Sequence, residues 1–162
     1  MTDLTTEYET EESYDRGSFN HGYLQARLVV LLGNIGNYTP VTELSLDISN
    51  LDLSKFDIKV KEEIRPDICL YPKRKIDLTH DILKMSEMPL LAIEILSPKQ
   101  GIYDILEKFK IYFTLGIKSC WLVIPATATV TIYSPDDFKS FNSGEVVDET
   151  LNIHLPIAEI FS

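Results

Sequence analysis

Cysteine is scarce in this chain, with Cys69 and Cys120 the only two among 162 residues. Each sits in a short β-branched or aromatic run, and neither has a partner at metal-binding or redox spacing. A disulfide framework and a cysteine-ligated metal site are therefore excluded, and buried free thiols are expected. Long apolar runs are missing as well: none approaches the roughly 18 residues of a membrane-crossing helix. The N-terminal stretch Met1 to Asp15 is acidic where a secretory signal is basic and then apolar, so the expected location is the cytoplasm. Positive charge is in short supply. Fifteen Lys and Arg stand against 25 Asp and Glu, a net charge of -10, which argues against a sequence-blind coat for nucleic acid, since phosphate neutralisation supplies most non-specific affinity. There are no internal repeats and no low-complexity segment.

What is present suffices for a packed core. With 44% hydrophobic and 25% charged residues, the chain has the composition of one folded domain that needs no covalent staple. Residues 1–17 are polar and aperiodic and read as a flexible acidic arm, with a single domain over 18–162. Charge is uneven. Between Lys55 and Lys75 seven basic residues face four acids, a local excess of +3, whereas acid concentrates at Glu7 to Asp15 and Asp136 to Glu149. The basic stretch reads either as a ligand-facing surface or as a solvated strand edge.

Ser18 offers an N-cap, and Leu24, Leu28, Leu31, Leu32 and Ile35 recur at helical spacing until Gly36-Asn37, predicting a helix over 19–35. Val41 to Ile48 is β-permissive, and Phe56, Ile58 and Val60 alternate with polar residues as in a half-buried strand. Ile68 to Tyr71 and Leu90 to Leu96 are short apolar strands ended by Pro72 and by Ser97-Pro98, both central in a sheet. Ile102, Ile105, Leu106, Phe109, Tyr112 and Phe113 form an amphipathic helical stripe closed by Leu115-Gly116-Ile117. Strands over 121–124 and 130–133 flank Pro125, and the tail 152–161 offers an edge strand. The order predicts an α/β fold with a mixed central β-sheet flanked by helices.

Glu94 lies within Leu91-Ala92-Ile93-Glu94-Ile95-Leu96, a strand with no water-facing side, where an unpaired carboxylate would cost several kcal/mol. Asp67 opens the other central strand after Pro66, a context that favours extended backbone. Two acids on adjacent buried strands suit a hard divalent cation, Mg²⁺ or Mn²⁺; a structural ion pair between Glu94 and an internal Lys or Arg is the competing reading. Four residues of strand from Glu94 to Pro98 cover roughly 13 Å, and Lys99 to Lys108 climbs back a similar roughly 13.5 Å of helix. A helix packed antiparallel over its own strand thus returns Lys108 to the level of Glu94. Asp104, one turn earlier, could instead hold Lys108 in an exposed helix ion pair. His21, sharing a face with Leu24 and Leu28, reads as a core or capping residue or as a phosphate ligand and proton shuttle.

Pro66-Asp67, Glu94-Ile95-Leu96-Ser97-Pro98, Asp104 and Lys108 on a helix, then Gly116 and Trp121-Leu122-Val123, together resemble the restriction-endonuclease-like family of the Uma-two type within the PD-(D/E)XK nuclease superfamily. The likeness spans roughly 18–135. It implies that Asp67 and Glu94 bind the metal and that Lys108 replaces the lysine usual two positions after the glutamate, where Leu96 stands here. It also implies a role for His21 and for an N-terminal glutamate, for which Glu12 is the candidate. The expected activity is that of a Mg²⁺- or Mn²⁺-dependent endonuclease acting on DNA rather than RNA, as a homodimer, with catalytic Asp67, Glu94, Lys108 and His21. The alternatives are a binding or regulatory protein that keeps the fold without turnover, and a protein-interaction module using the acidic segments.

Overall fold

The computed structural model describes residues 17–58 and 62–162. Residues 1–16 of the proposed arm, Glu12 among them, and Val60 lie outside these residues.

Helix α1, Phe19–Asn34, begins where the Ser18 side chain accepts a hydrogen bond from the His21 amide at 3.2 Å. Its Leu24, Leu28 and Leu32, one turn apart, are buried against the sheet. The chain continues through β1 (Tyr38–Thr42), β2 (Leu46–Asp47), β3 (Glu63–Ile64), β4 (Ile68–Pro72) and β5 (Leu91–Ile95). Helix α2, Ile102–Thr114, leads to β6 (Ser119–Ile124), β7 (Thr129–Tyr133), β8 (Phe138–Phe141), β9 (Glu145–Asp148), β10 (Ile153–Pro156) and the short α3 (Ile157–Phe161). Six strands form the main sheet in the order β1-β4-β5-β6-β7-β8. All neighbours are antiparallel except β5 and β6, which run parallel and are joined by α2 as a crossover. The expected mixed sheet flanked by helices is therefore present.

Strand alternation divides the core into two layers. Ile68, Leu70, Leu91, Ile93, Ile95, Trp121 and Val123 pack with α1 and α3. Cys69, Tyr71, Ala92, Cys120 and Leu122 pack with Ile105, Phe109 and Tyr112 of α2. β5 is buried along its whole length because it has a helical layer on both sides. Both cysteines are free and buried, as expected; burial pushes the Cys69 thiol up to about 12. Helix α2 ends as its sequence predicts. Gly116 adopts φ 97°, its amide bonds to the Phe113 carbonyl at 3.0 Å, and the Ile117 amide reaches the Tyr112 carbonyl at 3.0 Å. This pair of bonds is a Schellman motif.

Three expectations need correction. Phe56 and Ile58 do not form a strand: Leu53–Lys55 is a 3-10 turn capped by Asp52, whose Oδ1 accepts from the Ser54 amide at 3.1 Å. The Asp57 amide then donates to Glu107 Oε2 of α2 at 3.1 Å instead of to a neighbouring strand. In the tail, only Ile153–Pro156 is a strand; it pairs with β9 in a separate ribbon, and the chain then turns into α3. Third, Asp148 is not part of an acidic surface. It is 1% exposed and accepts from Ser119 Oγ at 2.5 Å, Trp121 Nε1 at 2.8 Å and the Leu151 amide at 3.1 Å, so it ties β9 to the main sheet.

Candidate active site

In the β4–β5 register Ile68 faces Ile93. One step further along this antiparallel ladder, Asp67 and Glu94 occupy facing positions at one end of the two strands, the separation at which opposed side chains interact directly. Glu94 shares the α2 side of β5 with Ala92, so the alternation that buries Ile93 and Ile95 under α1 points this carboxylate under α2.

Each carboxylate is held on one oxygen. Asp67 Oδ2 accepts from the Ile95 amide at 2.6 Å and lies 3.1 Å from His21 Nε2. Glu94 Oε1 accepts from the Tyr112 hydroxyl at 2.6 Å and lies 3.6 Å from Lys108 Nζ. Lys108 and Tyr112 are successive-turn neighbours on α2, which packs back over its own strand as the path length requires. Lys108 thus meets Glu94. Asp104 is exposed and forms no ion pair with Lys108. Gln25 of α1 donates to the Asp67 carbonyl at 2.8 Å, and the Glu43 amide bonds the same oxygen at 3.2 Å.

Glu94 is 2% exposed, and burial pushes its carboxyl up to about 7. The Lys108 ammonium opposes that rise, the Asp67 charge adds to it, the Tyr112 hydrogen bond opposes it, and a hydrogen bond with the Asp67 carboxyl adds to it again. His21 is raised above its ordinary 6.5, first by its hydrogen bond to Asp67; burial works against this, and the charges of Asp67, Glu43 and Glu94 work with it. The Tyr112 hydroxyl is raised by burial and remains a donor at neutral pH.

The structure thus brings His21, Asp67, Glu94 and Lys108 into one place. Among the described residues no group of three or more His, Cys, Asp and Glu stands in metal-holding geometry. Two facing carboxylates nonetheless fit a cation such as Mg²⁺, which binds through one or two carboxylates and takes its other ligands from water and substrate phosphate. A cation there would also offset the burial cost that, with the Asp67 charge, pushes the Glu94 carboxyl up.

Two neighbours escaped the sequence reading. Tyr112 reads as one member of the apolar stripe, and its spacing of four from Lys108 is the only hint of a polar task. Glu43 is a third acid, beside Asp67 and Glu94, whose charge reaches His21. It follows β1 with φ 52°, a conformation uncommon for a non-glycine residue that no local pattern announces. Part of the basic stretch lies away from this site. Lys73 to Lys75 follow the opposite end of β4, where Arg74 makes a two-pronged pair with Glu87 at 2.9 and 2.6 Å.

A mixed central sheet flanked by helices places the chain in the restriction-endonuclease-like class. The chain belongs to the Uma2 family, described as a putative restriction endonuclease, whose profile matches residues 5–158. Its fold is similar to the crystal structure of a putative nuclease belonging to DUF820 from Anabaena variabilis, with a TM-score of 0.70 at 20% sequence identity over 89% of this chain and 81% of that one. No curated protein matches the chain. Family membership supports a nuclease function in general terms. Among the described residues no helix is long and apolar enough to cross a membrane.

Proposed function

We propose that this chain is a Mg²⁺- or Mn²⁺-dependent endodeoxyribonuclease, with Asp67 and Glu94 as the metal-binding carboxylates. The observation that carries this reading is the convergence of Asp67, Glu94, Lys108 and His21 from four separate segments on one end of β4 and β5. A divalent ion, when bound, supplies Lewis acidity and lowers the pKa of a coordinated water. Lys108, 23% exposed and 3.6 Å from Glu94, sits where its ammonium can orient the attacking water and offset charge growing on the phosphate. Water adds to phosphorus, the bond to the leaving sugar oxygen breaks, and that oxygen takes up a proton. His21, paired with Asp67, fixes that carboxylate and is the group at hand for proton transfer.

Duplex cleavage needs a site for each strand, so the active form is a homodimer, and its place of action is the cytoplasm. A linear and supercoiled DNA cleavage assay with Mg²⁺, Mn²⁺ and chelator tests the activity: cleavage with either ion, abolished in Asp67→Asn and Glu94→Gln, is the expected result. Sedimentation tests the dimer. Intact RNA alongside cut DNA separates the substrates. One observation favours a second reading, a binding protein of the same fold without turnover: Leu96 stands where a lysine is usual, in a chain of net charge -10. DNA retained on the protein without cleavage under every ion would establish it and overturn the first.

A further inference from the structure

The donors around the two carboxylates are sorted by oxygen. On Asp67 both the Ile95 amide and the His21 ring meet Oδ2; on Glu94 both the Tyr112 hydroxyl and the Lys108 ammonium meet Oε1. No amide, hydroxyl or ring N–H of the described residues is bonded to Asp67 Oδ1 or Glu94 Oε2, and the two carboxyls are themselves within hydrogen-bonding reach of each other. We infer that Tyr112 is a positioning residue that ties down one oxygen of Glu94 so that the other, together with Asp67 Oδ1, is presented to a divalent cation. This inference rests on the metal-binding reading above and adds to it a residue outside the resemblance.

Geometry favours a dedicated role over incidental packing. Tyr112 is fully buried, and its ring packs beside Phe109 with centroids 6.1 Å apart. A phenylalanine would fill the same space. The hydroxyl is the one part of the side chain that the apolar layer does not call for, and its 2.6 Å bond goes to the buried Glu94 carboxylate. Lys108 at 3.6 Å is too distant to fix that oxygen by itself. Without the hydroxyl, Glu94 can turn either oxygen toward Lys108, and the pair presented to the cation is no longer held in one arrangement. Groups that orient metal-binding side chains in this way change metal affinity by roughly 10- to 100-fold when removed.

The test is Mn²⁺ affinity of the full chain, measured by calorimetry near neutral pH without nucleic acid, for wild type, Tyr112→Phe and Glu94→Gln, with a melting curve in chelator for each. The expected result is wild-type binding, loss of binding in Glu94→Gln, and binding weakened by roughly 10-fold or more in Tyr112→Phe with a folded, cooperative melt. Wild-type binding that Tyr112→Phe leaves unchanged overturns the inference while sparing the metal-binding reading. Absence of wild-type binding overturns both. If Tyr112→Phe fails to fold, Tyr112→His, which keeps a ring and a donor, decides: affinity within a few-fold of wild type supports positioning by the donor, and loss equal to that of Glu94→Gln overturns it.

Discussion

Glu94→Gln should stabilise the metal-free protein above neutral pH, although it removes a group placed at the centre of the site. The carboxyl has its midpoint at about 7 against an ordinary value of 4.5. Ionising it in the folded chain therefore costs about 3 kcal/mol more than in the unfolded chain. Because the folded state holds the proton more tightly, stability from this group is fully present below about pH 4.5 and is lost as pH rises through 7. Glutamine keeps the shape and can still accept from Tyr112, carries no charge, and leaves Lys108, 23% exposed, free to turn toward water. The variant should gain about 3 kcal/mol over wild type at about pH 8.5, and only about 1 kcal/mol at about pH 5.5, where the native wild type is still mostly protonated. For a chain of this length that is a rise in melting temperature of roughly 6–12 °C at the higher pH. Urea unfolding at both pH values in chelator measures it. Mn²⁺ should then raise the wild-type midpoint and leave the variant unmoved, since a ligand stabilises only the state that binds it. A variant less stable than wild type at high pH, or a gain that does not depend on pH, would refute the reasoning.

Other substitutions separate chemistry from architecture. Lys108→Met should abolish cleavage while Mn²⁺ binds at least as tightly as in wild type, since a neighbouring positive charge has been removed; calorimetry beside the cleavage assay distinguishes this from loss of the metal site. His21→Asn should destabilise the fold most at about pH 6 and least at about pH 9, because a raised histidine contributes below its ordinary 6.5 and loses that contribution as pH passes its folded value; denaturation at the two pH values reads it. Asp148→Ala leaves Ser119, Trp121 and the Leu151 amide without their acceptor and should cost about 3 kcal/mol or more, seen as a lowered urea midpoint. Gly116→Ala, at φ 97° with nothing near the added carbon, should cost about 1 kcal/mol through backbone strain, with cleavage unchanged.

Much of the fold follows from local pattern. α1 and α2 carry unbroken helical stripes and recognisable ends, and β4, β5 and β6 are apolar runs bounded by proline or glycine; such elements are dictated by residues close in the chain. The site was legible to the same degree. An acid inside an all-apolar strand needs a partner whatever the fold, and the length of strand and helix between Glu94 and Lys108 brings them level. Tertiary structure decided the rest. Which carboxylate oxygen each donor meets depends on register and side-chain rotation, which no spacing encodes. That Asp148 is a buried tie, that Phe56 and Ile58 belong to a loop tethered by Glu107, and that Glu43 turns back toward His21 all depend on partners 29 to 50 residues away or on an unfavoured backbone angle. Periodicity reports what a segment buries; only the folded chain determines what that segment meets.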